Sequence, residues 1–598
     1  MRQLLFFILM IVTGLNPAFS QFVDWETAYE KSGNQQTPRY DETIRYCKQL
    51  AYNSDYIRYT SFGTSPQGRE LPLLIVSTDK CFSVEEAKKT NKAVILIQAA
   101  IHAGEPDGKD AGMLLLRDLL INQQDTQIFQ HVVVLFIPIF NVDGHENWSR
   151  YNRINQNGPS EMGFRTTAQN LNLNRDFLKA ESPEMKAWLT LFHTWMPDFF
   201  IDCHTTDGAD YQYEITYGME VSGNMDPGLT TWQKESFIPE MTQFMEGKNM
   251  PVFPYVQFRR WHDPRSGLRS GAASPITSTG YVALLNRPAL LIETHMLKSY
   301  KKRVESTYQL LKFSISFVNE NYAELKTKIS QADLRASEKM FRKNPFPVKY
   351  KISMDDSTSI KFKGIDYEVI PSDLTGHPWF KYGTDKKDFQ LSWFNKSVPE
   401  ISVKLPEAYF IPPEWTSIIG LLDLHHIRYM KLSEPIYQEF ESYEFPEVEW
   451  AKRPYEGRLQ LSLKQVNSIE ELRLLPVGTV IVPIEQSRAR LIAWLLEPQS
   501  EGSLISWGFF NTIFEQKEYA ETYVIEKMAR DMVRDDKKLK QEFEEKMKSD
   551  PEFAGDHWAI TNWFYQHTPY YDHRINKYPI SKLSRVKKPT SDFKPTSF

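Results

Sequence analysis

The sequence predicts an α/β fold: a mixed, mostly parallel sheet with helices on both faces, followed by a β-rich region and a helical C-terminal region. Three observations carry this. Short apolar runs, "PLLIVS" (72–77), "AVILIQAA" (93–100), "HVVVLFIPIF" (131–140), "DFFIDCH" (198–204) and "ALLIETH" (289–295), read as strands buried on both faces. Helical patterns stand between several of them, at Asp110 to Asn122 and Pro183 to Trp195. Beyond about residue 330 the texture changes to alternating stretches such as "IKFKGIDYEVI" and "GTVIVPI", broken by Pro, Gly and Asp.

Taken in order, residues 1–20 have a positive Arg2, the apolar core "LLFFILMIV", and Ala18-Phe19-Ser20 before Gln21. This is the pattern of a cleaved export signal, with a core too short to span a bilayer. It implies a periplasmic or extracellular location, and no later run is apolar enough for a membrane span. Residues 21–328 hold the predicted sheet and end in an amphipathic helix, "YKKRVESTYQLLKFSISFVNENY" (300–322). Residues 329–490 form the β-rich accessory domain. Residues 491–598 form the helical C-terminal extension, charged and solvent-facing, with a loose basic tail, "SRVKKPTSDFKPTSF".

The net charge of −5 over 598 residues gives no electrostatic case for nucleic acid or an anionic membrane. The chain has 3 cysteines, so at most one disulfide closes. Cys47 with Cys81 is the favoured pair if one forms, but the three read mainly as small buried apolar groups. Oligomeric state is not encoded in any pattern visible here.

The run at 93–100 leads into "IHAGEPDG", which puts an imidazole, His102, and a carboxylate, Glu105, on a Gly/Pro-shaped loop. In open α/β sheets ligands bind outside the carboxyl ends of strands, where this loop lies. A catalytic zinc takes three N/O ligands and keeps one position open. His204, at the end of the 198–204 run, supplies the third, so His102, Glu105 and His204 would hold one Zn2+ per chain. Asp207 is either a further ligand or an Asx turn before Gly208; Asp202 and Cys203 belong behind or beside the ligand. Glu293, at the exit of the 289–295 run, suits a general base for the water that the metal activates. Its alternative is a salt bridge to Arg287 or Lys298. Asn174 and Arg175 together suit a planar carboxylate, and Arg165 suits polarising a carbonyl as an oxyanion develops.

These pieces, in this order, resemble the zinc metallocarboxypeptidases of peptidase family M14, the carboxypeptidase A-like enzymes. "GTSPQGRELPLLIVS" is similar to that family's early G-x-S-x-x-G-R-x-L segment and "IHAGEPDG" to its H-x-x-E zinc loop. "PIFNVDGHE" is similar to its N-P-D-G turn, with Val142 in place of Pro. "NLNLNRDF" is similar to its N-R segment, "DCHTT" to its second zinc His, and "LLIETH" to its catalytic Glu strand. The resemblance implies His102, Glu105 and His204 as ligands, Asn174 and Arg175 as receptors for a substrate C-terminal carboxylate, Arg165 as carbonyl polariser with Arg153 as its runner-up, and Glu293 as base. It implies a secreted carboxypeptidase; residues 330–598 resemble the long extension of large bacterial members.

One departure from the family is plain. The mobile Tyr expected about twenty residues before the base is missing, because "RSGLRSGAASPITSTG" (265–280) has no aromatic. Tyr255, Trp261, His262 and Tyr281 are the substitutes, and Ser278, Thr279 and Gly280 are the expected specificity floor. Two other functions fit the same residues: a zinc amidase or deacylase acting on γ- or D-linked cell-wall peptides, and a secreted binding protein with an inert metal site.

Overall fold

The computed structural model describes residues 24–583. The export signal and the basic tail lie outside the described residues.

Ten described strands precede residue 300: β1 (Ile57–Thr64), β2 (Glu70–Val76), β3 (Ala93–Ala99), β4 (Val132–Ile137), β5 (Phe199–Thr206), β6 (Ile215–Gly218), β7 (Val252–Pro254), β8 (Gln257–Arg260), β9 (Asp263–Arg269) and β10 (Ala289–His295). Eight of them form one mixed sheet, in the order β1-β2-β4-β3-β5-β10-β6-β7. Its centre is parallel: β3 pairs with β4 and β5, and β5 with β10. Strands β3, β4 and β5 are buried at every residue, as runs apolar on both faces require.

Each face has its own core. The helices Asp107–Leu116 and Tyr300–Ser337 cover one face, through Leu115, Leu311 and Phe317. The second helix runs past the expected end near 322 and kinks at Asn321, whose φ/ψ of −108°/16° is not helical. Helices Pro183–Trp195 and Ser278–Leu284 cover the other face. There Trp188, Phe192 and Tyr281 join Tyr409, Trp494 and Phe510 in one apolar cluster. The C-terminal half therefore completes this core.

That half contains β11 (Phe346–Ile352), β12 (Thr358–Pro371), β13 (Pro378–Phe394), β14 (Ser397–Val403), β15 (Ala408–Ile411), β16 (Met430–Lys431), β17 (Ile436–Trp450), β18 (Leu461–Leu475), β19 (Val480–Pro483) and β20 (Ser581–Leu583). Strands β12 and β13 form a four-stranded sheet with the β8–β9 hairpin, where β13 runs parallel to β9 at Trp393↔Leu268. Strands β11 and β14 form a ribbon. The remaining six make a six-stranded sheet, and β20 returns to it after the charged helices Thr522–Asp535 and Lys537–Ser549.

Cys47, Cys81 and Cys203 are all free and buried, as their reading as small apolar groups expects, and no Cys47–Cys81 disulfide forms. They act as small apolar fillers, and Cys203 packs so tightly under the helix Asp107–Leu116 that a Cβ on Gly108 would lie 2.3 Å from its own.

Candidate metal centre and substrate cleft

The metal loop leaves β3 through a sharp bend. Ala100 takes a left-handed φ of 54°, and the N–H groups of Phe140 and Asn141 donate to the Ala99 and Ala100 carbonyls at 3.0 and 3.1 Å. This turns His102 and Glu105 across the sheet edge. Gly104 is required there: a Cβ would lie 2.7 Å from both the Arg153 side chain and the Gly163 carbonyl.

Strand β5 supplies the third group. The two-residue period of a strand puts Asp202 and His204 on one face and Cys203 on the other. Asp202 Oδ2 lies 2.8 Å from His204 Nε2 and accepts its N–H, so Nδ1 turns its lone pair inward. Asp202 also accepts from Gln98 Nε2 at 2.9 Å and from the Ser278 hydroxyl. His102 is oriented the same way, with Nε2 3.1 Å from Asn172 Oδ1.

Three atoms then converge: His102 Nδ1 to His204 Nδ1 is 3.2 Å, His204 Nδ1 to Glu105 Oε2 is 3.1 Å, and His102 Nδ1 to Glu105 Oε2 is 3.3 Å. A tetrahedron whose centre lies about 2.0–2.1 Å from its corners has edges of about 3.3–3.4 Å, so this triangle fits zinc bonds to N and O. The donor set fits as well. Two imidazole nitrogens and a carboxylate oxygen, all buried, face one another, and a cation between them removes their mutual repulsion.

The electrostatics agree. Burial lowers the His102 pKa to about 4 and keeps it neutral, with Glu105 pulling the other way. Burial alone would raise Glu105, but His102, Arg153 and the hydrogen bonds from both imidazoles hold it well below the usual carboxylate range. Burial opposes charge on His204 too, yet Asp202 and Glu105 raise it well above an ordinary imidazole, so a proton stands where metal charge would otherwise be.

Glu293 lies on β10 in register with His204 on the adjacent parallel β5, so the two side chains share a face of neighbouring strands, which in sheets run about 4.8 Å apart. Burial pushes its carboxyl up to about 8, with Glu105, Asp202 and Asp207 adding to the rise and His204 opposing it. The bases that would have made it a structural ion pair are engaged elsewhere: Arg287 binds Asp333 at 3.0 Å, and Lys298 donates to the Tyr211 carbonyl at 2.6 Å.

All seven predicted site residues line one cavity of about 1110 Å³. Arg153 is committed to the outer oxygen of Glu105 at 2.7 Å, whereas Arg165 stays 3.6 Å from it and more exposed. Asn141 Nδ2 donates to the Arg165 carbonyl at 3.3 Å. Asn174 accepts the Ser278 N–H at 3.1 Å, and Arg175 donates to the Asn174 carbonyl at 2.6 Å.

Among the aromatic substitutes, Tyr255 lines the cavity and Tyr281 does not. Tyr281 is buried with its hydroxyl between His193 (2.9 Å) and His425 (2.8 Å). Trp261 and His262 also lie off the cavity. Ser278 and Thr279 reach the cleft as expected, while Gly280 packs on the Ser274 carbonyl instead, where a Cβ would approach to 2.1 Å. Sequence reasoning missed Asn172, whose only signal was the alternation in "NLNLN". It also missed the share of the cavity wall that Tyr350, Lys351, Trp393 and Glu501 provide from the C-terminal half.

Fold and site place a buried His–Glu–His cluster that could hold a metal ion at the carboxyl edge of an α/β sheet. Residues 43–221 match the family model described as zinc carboxypeptidase. Carboxypeptidase 2 of Trichophyton rubrum is 23% identical over 487 residues, covering 79% of this chain and 84% of its own. Its counterpart in Trichophyton equinum is 23% identical over 490 residues, covering 79% and 84%. Among solved structures, a metallo-carboxypeptidase from Pseudomonas aeruginosa in complex with (2-guanidinoethylmercapto)succinic acid aligns at TM-score 0.36 and 18% identity, covering 48% of this chain and 70% of its own. Carboxypeptidase A from Helicoverpa armigera aligns at 0.35 and 16%, covering 48% and 74%. Residues 43–221 thus carry the likeness to the zinc carboxypeptidase family, and the relatives that match most of this chain are named carboxypeptidases.

Proposed function

We propose that this protein is an exported exopeptidase that removes the C-terminal residue of peptides, with Glu293 as general base. The carrying observation is the triangle of His102, Glu105 and His204 with Glu293 one strand away in register, in the same cavity as Asn174 and Arg175. Zinc held by the triangle would supply a Lewis acid that polarises the scissile carbonyl and acidifies the attacking water. Glu293 takes that water's proton and passes it to the leaving amine. Arg165 donates to the carbonyl oxygen as negative charge develops on it. Arg175 and Asn174 hold the substrate's free carboxylate, so the last peptide bond lies over the base. Tyr255, which lines the cleft, is assigned the role of covering the bound residue. Export is assigned from the sequence pattern of residues 2–20, and the chemistry is assigned to a domain of residues 21–328.

The test is amino acid release from free-acid peptides, from the same peptides amidated at the C-terminus, and from muropeptides. Free-acid peptides are expected to be cut, and Arg175→Ala is expected to lose about 100-fold or more on them while losing far less on the amides. Equal losses on both would remove the exopeptidase reading. Turnover confined to muropeptides would replace it with a cell-wall amidase.

A further inference from the structure

One turn of the C-terminal half grips both ends of the loop that carries the proposed substrate-binding pair. Tyr455 and Arg458 close it with reciprocal backbone hydrogen bonds of 2.9 and 3.1 Å. Its two central residues, Glu456 and Gly457, both have left-handed backbones, with φ of 49° and 77°. Turns of this kind favour Asn, Asp or Gly at both positions, and a glutamate is a strained choice. The Glu456 side chain gives a reason for it. Its carboxylate accepts the Asn172 N–H at 2.8 Å, across 284 residues of sequence. Asn172 Oδ1 in turn accepts the Asn174 N–H at 2.9 Å and lies 3.1 Å from His102 Nε2.

The rest of the turn holds the far end of the same loop. Arg458 donates twice to Glu181 Oε1, at 2.8 Å from Nε and 2.7 Å from Nη2, while its guanidinium covers the Phe509 ring at 3.6 Å. Glu181 pairs with Lys179 at 3.0 Å, and Lys179 with Asp176 at 2.8 Å. Tyr455 stacks on Trp507 with rings 6.0 Å apart.

From this continuous chain of contacts we infer that Glu456 is a positioning residue for the metal centre: it fixes Asn172, and through Asn172 the tautomer of His102 and the placement of Asn174. A hydrogen bond on the outer nitrogen of a ligating histidine sets which nitrogen faces the metal and how basic it is, and losing such support costs about 10–100-fold in affinity or activity. Glu456 acts one bond further out, so the lower end applies. Through Glu456, which does not line the cleft, the C-terminal half thereby contributes to the chemistry without that residue touching substrate. The inference rests on His102 being a zinc ligand.

Two variants separate positioning from packing. Glu456→Gly removes the acceptor and relieves the left-handed strain; Glu456→Gln keeps an acceptor oxygen. The full chain is measured for zinc affinity by chelator competition, for kcat and KM on a free-acid peptide, for Tm, and for amide hydrogen exchange across residues 171–176 in the zinc-free protein. Glu456→Gly is expected to weaken zinc binding and kcat about tenfold, with KM changed less, faster exchange at 171–176 and an unlowered Tm; Glu456→Gln is expected to restore zinc affinity and kcat to within about threefold of wild type. Wild-type zinc affinity and kcat in Glu456→Gly would overturn the inference. So would a fall in its Tm, which marks ordinary packing, or a Gln variant as impaired as the Gly one. His102→Ala serves as the control: zinc retained there would sink the ligand assignment instead.

Discussion

At the scale of single residues, the site depends on which groups hold protons. Glu293 must be ionised to act as a base, yet in the metal-free protein burial and neighbouring carboxylates push it up to about 8. A divalent cation nearby favours the carboxylate and brings that value down. The acid limb of kcat/KM is therefore expected below pH 8, and Glu293→Gln is expected to reduce kcat by about 10³-fold or more and flatten that limb. A pH–rate profile of the two proteins checks this; an unchanged acid limb in the variant would assign it to another group. The same shift has a stability consequence of fixed sign. A group raised above its unfolded value stabilises fully at low pH and loses that contribution as pH climbs to its folded pKa. The zinc-free wild type should lose stability between roughly pH 4.5 and 8 relative to Glu293→Gln, which denaturant titrations at several pH values measure.

At the scale of elements, the strands of the sheet core were legible because they are buried on both faces and composed accordingly. Strand β10, Ala289–His295, coincides with its apolar run, and the helix Pro183–Trp195 with its pattern. Edge strand β1 was not legible: "IRYTSFGT" is mostly half-exposed and carries no apolar stripe. The β8–β9 hairpin escaped for a related reason, since its partner β13 lies more than a hundred residues away and no local pattern announces the pairing. In the site, residues on strand ends could be read, whereas Asn172 could not, because its part depends on where His102 and Glu456 arrive in space. The bend at Ala100 is testable at this scale. A β-branched side chain at a left-handed φ in a fully buried position is expected to cost about 2–3 kcal/mol, so Ala100→Val should lower the denaturation midpoint clearly. Ala100→Gly, free of that penalty, should stay within about 1 kcal/mol of wild type.

At the scale of the whole molecule, the N-terminal sheet and the C-terminal half share one core. Tyr409, Trp494, Ile505 and Phe510 pack in the same cluster as Phe177, Trp188 and Tyr281. Burying side chains of this size contributes about 1.5–3 kcal/mol each. Several together match the entire net stability of a typical domain, about 5–15 kcal/mol. A chain ending after Ser337 would leave that face of the sheet exposed. It is expected to aggregate or to lack a cooperative unfolding transition, as followed by calorimetry and light scattering; a soluble monomer with a sharp transition would show the shared core to be dispensable.

The contact between Glu456 and Asn172 spans 284 residues, and a ribosome adds about 5–20 residues per second. Roughly 15 to 60 s therefore separate synthesis of the substrate-binding loop from synthesis of its brace. Until Glu456 is made, the Asn172 N–H lacks the acceptor that holds it in the finished fold, so the outer support of His102 is assembled late in synthesis.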